Sequence, residues 1–543
     1  MVHFRRLTME RIVAMGQSRM VAVATGLACI LGIGLIDNGR AVGQQPVVKE
    51  ARATVLDTAP DDSESDAPAW PIGYEAAVEY ERDAAPAACA CGSGDCCGCE
   101  KQAALAKAVK EAHKLVFYDN DFSYLCDPCY DGWHLGDNWK RLAVGDHVTL
   151  DFGGQYRARF HHETNMRGLG LTGRDDRFLL HQTRVYANAE VGSRFRAYAE
   201  YIDAESNYEN FAPRAIEVNR SDMLNLFGDY QVFEGDTGQL WGRVGRQELN
   251  YGSQRLISTL PLWANARRTF DGAKLFWKGQ DWNIDAFWTQ PVGVDPHNFD
   301  SPIRDQELMG VFGTYKGFEK ETVDVYYLRF YDKLAPNSRE IETIGGRWKG
   351  EQDDWLWETE GGVQFGLNTD GSDRSAGFAT VGLGRRASAC HWKPTLWCYY
   401  DWASGTDDRG AGNGMHHLLP LGHRYLGFMD IYGRSNIETP NVLLTLQPTD
   451  RLQLLVWYYY FFLENKNDTP YSVTMAPFHS AVAPADADLG QEIDLLATYQ
   501  LTPRSDLEFC YSHFFAGDYY ALTPGVPYTG NANFFYTQWT LKF

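Results

Sequence analysis

The chain has 543 residues, 44% of them hydrophobic, and a formal net charge of -21. Its mean hydropathy of -0.38 excludes a polytopic helical membrane protein, which needs repeated apolar runs of about 20 residues. The negative balance excludes polyanionic nucleic acid as a partner of the surface as a whole, and 14% aromatic residues with 52 glycines point to β structure rich in turns.

Residues 1–43 read as a signal for export. Arg5, Arg6, Arg11 and Arg19 precede an apolar run from Met20 to Leu35, which Asp37, Asn38, Gly39 and Arg40 end. Ala41 and Gly43 then place small residues at the -3 and -1 positions before Gln44, so basic, apolar and cleavage regions follow in order. The run is short for a membrane span; an uncleaved anchor is the alternative. Cys29 is no lipoprotein site on this reading, because the apolar run continues past it.

Residues 44–115 form a low-complexity extension. Ala, Pro, Asp and Glu dominate Val47 to Ala88, a composition that buries too little apolar area to order itself. Cys89, Cys91, Cys96, Cys97 and Cys99 follow, read as local disulfides or thiols in an exported chain. Thiolates also take soft metals, but the cluster holds no histidine and no paired C-x2-C, so no metal and no cofactor is expected. Lys101 to Lys114, rich in Ala, Lys and Leu, predicts a short helix. Cys126 and Cys129 in an Asp- and Tyr-rich stretch predict a disulfide or a reduced pair, not a redox centre.

From His147 the pattern changes to period two. Val148, Leu150, Phe152, Tyr156, Ala158 and Phe160 share one face, and Thr149, Asp151, Gln155, Arg157 and Arg159 the other. The same division recurs at 184–191, 194–201, 355–367 and 492–501, in segments of about ten residues, the length a tilted strand needs to cross a membrane. Tight turns such as Thr502–Asp506 and Gln447–Asp450 alternate with longer polar connections such as Asn368–Ser375, Ser404–His417 and Glu464–Leu489. A soluble β-sandwich also alternates. Two features favour a barrel instead: aromatic runs such as Trp457 to Phe462, read as a lipid-boundary girdle, and a last strand ending on Phe543 with Phe535, Trp539 and Leu541 on its face. The predicted fold is an all-β transmembrane antiparallel barrel over 116–543. Its length allows about 16 to 20 strands around a wet or loop-plugged channel.

The chemistry lies in arginines. Arg243, Arg246, Arg255, Arg267 and Arg268 stand close together between Trp241 and Gly272. Guanidinium groups stay charged and grip carboxylates with two parallel hydrogen bonds, so in a channel they favour anions. Alternatively they pair with the wall's own acids, since Asp151, Glu190, Glu200, Glu358, Glu360, Glu492 and Asp494 fall on the same faces.

Gly242-Arg243-Val-Gly-Arg246-Gln-Glu-Leu-Asn-Tyr-Gly-Ser-Gln-Arg255, followed by Trp-x-Asn and Arg-Arg-Thr-Phe-Asp-Gly, resembles the signature of the alginate export family of outer-membrane proteins. Asn120–Leu125 and Gly153–Arg159 resemble that family's approach to its first strand. The resemblance covers about residues 115 to 543. It implies a barrel of about 18 strands that passes an anionic uronic-acid polymer, with outer-membrane lipid and periplasmic export machinery as further partners. It nominates Arg157, Arg159, Arg243 and Arg246 as lumenal; strand parity adds Arg184, Arg194 and Arg196, while Arg255, Arg267 and Arg268 fit a loop. Arg243 and Arg246 lie three apart, so a bulge is needed for both to face inward. A general or small-anion porin is one alternative. A polysaccharide-active enzyme is another, but His161, His162, His391, His416, His417 and His513 sit in no recognisable catalytic frame, so no catalytic residue is expected. His416 and His417, in a Gly-rich loop, are expected to be solvated or to be incidental metal binders.

Overall fold

The structure, a computed structural model, describes residues 99–168, 170–333, 338–526 and 530–543. The export signal and the cluster Cys89 to Cys97 lie outside the described residues. Among those described, 18 antiparallel strands form the wall. They are β1 Val148–Thr164, β2 Asp176–Val191, β3 Phe195–Asn207, β4 Asn219–Gly235, β5 Gly238–Gln247, β6 Phe270–Gly279, β7 Trp282–Gly293, β8 Gln306–Tyr315 and β9 Glu321–Asp332. The second half continues with β10 Arg339–Gln352, β11 Trp355–Leu367, β12 Asp373–Arg386, β13 Thr395–Ala403, β14 Ile437–Thr449, β15 Leu452–Phe462, β16 Asp488–Thr502, β17 Ser505–Ala516 and β18 Ala532–Lys542. Each strand pairs with the next, and β18 pairs with β1 from Gln155↔Lys542 to Thr164↔Asn533. The sheet therefore has no open edge, as a structure in lipid requires.

The period-two reading holds along the wall. On β1, Arg157, Arg159, His161 and Glu163 are buried on the lumen side, while Phe152 and Phe160 are exposed on the other. Tight turns and the chain's C-terminus collect at one end, here the turn end; the long connections collect at the loop end. One expectation needs correction. Trp457, Tyr459 and Phe461 do not belong to a lipid girdle. They point inward and stack in file at 5.2 and 5.6 Å, since alternation sends only Val456, Tyr458, Tyr460 and Phe462 outward.

The interior is filled from both ends. The β5–β6 connection (248–269) and the β13–β14 connection (404–436) fold into the barrel and meet at a parallel bridge, Ile257↔Leu419. Leu249, Leu256, Leu260 and Trp263 of the first join Leu418, Leu421, Phe428 and Ile431 of the second, together with wall residues such as Phe270 and Leu308. From the turn end comes helix α1 (Cys99–Glu111), where the sequence predicts one, with short 3-10 turns at 117–119, 123–126 and 137–139. Phe117, Tyr118, Phe122 and Tyr124 pack against the lumenal Tyr186, Tyr198 and Phe227. The stretch Asn120–Leu125 is thus inserted chain rather than a direct lead into β1. Cys126 and Cys129 form a disulfide there.

Candidate functional site

Five of the nominated arginines are buried on the lumenal face of the wall: Arg157, Arg159, Arg184, Arg196 and Arg243. Strand parity places them, because each alternates with exposed or half-exposed apolar neighbours. Their partners differ in kind. Arg184 Nε donates to Glu200 at 2.7 Å, and Arg243 forms a two-pronged bridge to Asp229 at 2.7 and 2.8 Å. Arg196 donates to Asn188 and to the Tyr118 carbonyl. Arg157 donates to the carbonyls of Leu262 at 2.9 Å and Ala264 at 2.6 Å. Arg159 donates to Trp263 O and Leu262 O, both at 2.7 Å, and to Gln538.

Arg255, Arg267 and Arg268 lie on a connection, as expected, but that connection is the one folded into the lumen. Arg255 bridges Glu358 at 2.7 Å and Glu360 at 2.8 Å on β11. Arg267 pairs with Glu248. Arg268 donates to Ser258 O at 2.8 Å and Leu419 O at 2.6 Å. Burial pushes the Arg268 guanidinium down to about 10, which leaves it a cation at neutral pH.

Two nominations are corrected. Arg194 sits in the turn between β2 and β3 and is exposed; the strand begins one residue later, so parity does not govern it. Arg246 shares the outward parity of the exposed Val244, and the register from Arg243↔Lys274 to Arg246↔Asp271 runs without a shift. The bulge that would turn both inward is absent. Arg246 is instead clamped at the loop end by Asp271 at 2.8 Å and Asp222 at 3.1 Å. Arg194→Glu is therefore expected to leave single-channel conductance and ion selectivity within error of the parent in planar bilayers.

Other lumenal cations escaped the sequence reading. Arg347 on β10 pairs with Asp324 at 2.7 Å, and Arg434 of the β13–β14 connection with Asp401 at 2.7 Å. Arg374 on β12 holds Asn368 at 3.0 Å and the carbonyl of Gly414. Parity alone would have found Arg347 and Arg374; nothing local marks Arg434. The expectation for His416 and His417 is also corrected. Both are buried and accept backbone N–H bonds from Leu418 at 3.0 Å and Arg434 at 3.2 Å. Burial and nearby arginines push His417 down to about 3, so it is neutral.

The lumenal guanidiniums thus divide into two sets. Arg184, Arg243, Arg255, Arg267, Arg347 and Arg434 hold carboxylates of the protein itself. Arg157, Arg268 and Arg374 hold neutral oxygens, and no carboxylate of the described residues lies within ion-pair distance of them. Carbonyl oxygens of the infolded connections cap these three cations. No group of His, Cys, Asp and Glu suited to a metal ion is present among the described residues.

Residues 148–532 match the family described as alginate export. The fold is similar to that of Acinetobacter baumannii OccAB1, with a TM-score of 0.52, 11% identity, and 74% of this chain and 98% of that one covered. Pseudomonas aeruginosa OccD3 (OpdP) is similar with a TM-score of 0.49 and 13% identity, over 72% and 91% of the two chains. No curated protein matches the sequence.

Proposed function

Because the chain belongs to the alginate export family, we propose that this outer-membrane channel passes an anionic polysaccharide of the uronic-acid type. The reading is carried by Arg157. It is a buried cation on the lumenal wall that the protein satisfies with two main-chain carbonyls of the infolded β5–β6 connection. A carboxylate adds a full opposite charge and a two-pronged fit to the guanidinium that carbonyls lack, so a polymer carboxylate competes well for that position. Arg159 and Arg268 are held by carbonyls of the same connection. Displacing 258–264 would therefore offer Arg157 and Arg159 to the polymer together, while Arg268 also needs release from Leu419 O.

Past these positions the polymer meets arginines that already hold acids. There a uronate exchanges with Glu200, Asp229 or Glu358, swapping one charge-assisted bond for another. Such exchange is nearly neutral in free energy, and transit needs many sites of modest affinity rather than one tight one. No residue of this path is asked to break a bond, so the protein acts as a conduit and not as an enzyme. Family membership and the closed wall place it in the outer membrane, and delivery by periplasmic export machinery fits the turn end.

The test is transport by the full chain in planar bilayers, with oligouronates on one side and neutral oligosaccharides of equal length as the control. Voltage-dependent block and translocation of the charged oligomer, with its chain length unchanged afterwards, is the expected result. Conductance of chloride with indifference to oligouronate would favour a small-anion porin. Shortened oligomers would favour a polysaccharide-active enzyme.

A further inference from the structure

On the lumenal face of β2, β3 and β4, Tyr186, Tyr198 and Phe227 form a ladder of near-parallel rings. Tyr186 and Tyr198 stack at 5.8 Å and 20°, Tyr198 and Phe227 at 5.3 Å and 22°. Arg243 places its guanidinium 3.7 Å from the Phe227 ring, and Arg184 stands beside the ladder on β2. An aromatic ladder bordered by guanidiniums suits a sugar acid. Pyranose C–H groups pack on ring faces, and the carboxylate takes the cations.

This platform already has an occupant, and it belongs to the same chain. Tyr118 stands edge-on to Tyr198 and Phe227, at 84° and 88°, and its ring lies 4.4 Å from the Arg243 guanidinium. Phe117 tilts against Tyr186 at 5.7 Å and covers Arg184 at 3.9 Å. The Tyr118 carbonyl accepts from Arg196, and the Leu115 carbonyl accepts from Arg267 at 3.1 Å. The Tyr118 hydroxyl donates to Glu248 O at 2.7 Å, where the infolded β5–β6 connection begins. The inserted segment thus offers rings to rings and oxygens to arginines, and it touches the plug that enters from the loop end.

We propose that Tyr186, Tyr198 and Phe227 with Arg184 and Arg243 form a saccharide-binding groove at the turn end, and that residues 115–120 are its resident occupant. The segment must leave before the polymer enters. Its contacts with Glu248 and Arg267 couple that departure to release of the second plug. The choice of a sugar acid as ligand rests on the function proposed above; the groove and its occupant do not.

The experiment is single-channel recording of the full chain, with barrel closure checked by heat-modifiable gel mobility. Phe117→Ala with Tyr118→Ala should raise the time-averaged current and strengthen its block by a uronate hexamer above the parent's. Adding Tyr198→Ala with Phe227→Ala in that background should weaken the block roughly tenfold, the combined value of two aromatic contacts. Tyr118→Phe removes only the bond to Glu248 O and leaves the packing intact, so it should give a smaller rise in current even if the double variant fails to fold. Unchanged current in both occupant variants overturns the proposal, as does a block indifferent to the platform. Equal block by a neutral hexasaccharide keeps the groove and overturns the polyanion reading instead.

Discussion

Replacing Arg157 and Arg159 together by glutamate is expected to reverse the ion selectivity of the channel and to abolish block by oligouronates. The change moves four units of charge at one level of the lumen, where water is scarce and screening weak. The two guanidiniums now hold four hydrogen bonds to the carbonyls of Leu262, Trp263 and Ala264. Carboxylates there would face those carbonyls and repel them, loosening the β5–β6 connection. Small-ion conductance should therefore rise while the apparent affinity for an oligouronate falls by at least tenfold, about 1.4 kcal/mol. Arg157→Lys with Arg159→Lys keeps the charge but loses the fork, and should keep anion selectivity with weaker block. Reversal-potential measurements across a salt gradient decide the matter. Anion selectivity that survives the double glutamate variant would end the claim that these two arginines set it.

Arg255→Ala is expected to enlarge the conductance markedly without weakening the barrel. Arg255 joins three elements. It bridges Glu358 and Glu360 of β11, and its guanidinium lies 4.3 Å from the Tyr425 ring of the β13–β14 connection. Removing one side of a buried ion pair typically costs about 3–5 kcal/mol. Here the hydrogen-bonded wall can relieve that cost by releasing the two connections and letting water reach the stranded acids. The loss should appear as undocking of the plug. Expected are larger open-channel currents and protease cleavage within 248–269 and 404–436 in a barrel of unchanged heat-modifiability. Adding Glu358→Gln and Glu360→Gln removes the stranded charges and should restore part of the protection. Parental conductance and an uncleaved plug in Arg255→Ala would show that the bridge does not latch the connections.

Both experiments turn on a distinction the sequence did not carry. Alternation along β1, β2, β3 and β11 was legible because a strand surrounded by lipid and enclosing polar groups must alternate, whatever its partners. It placed Arg157, Arg159, Arg184 and Arg196 on the inner face correctly. It failed at Arg194, where the strand begins one residue later; Arg246, nominated by the family resemblance, keeps the outward parity that the unshifted register gives it. It also took Trp457, Tyr459 and Phe461 for part of a girdle, because a continuous aromatic run hides which half points inward.

Local pattern, then, was enough for the kind of wall this chain builds, for its closure by a last strand ending in phenylalanine, and for the family to which it belongs. Whether the wall encloses an open pore was settled only in three dimensions. Several lumenal arginines find partners about eighty or more residues away in the chain: Leu262 for Arg157, Glu358 for Arg255, Tyr118 for Arg196. No strand period encodes such pairings. They arise when two long connections and an N-terminal segment, none able to bury its apolar side chains alone, find the one sheltered space available inside the barrel they help to close.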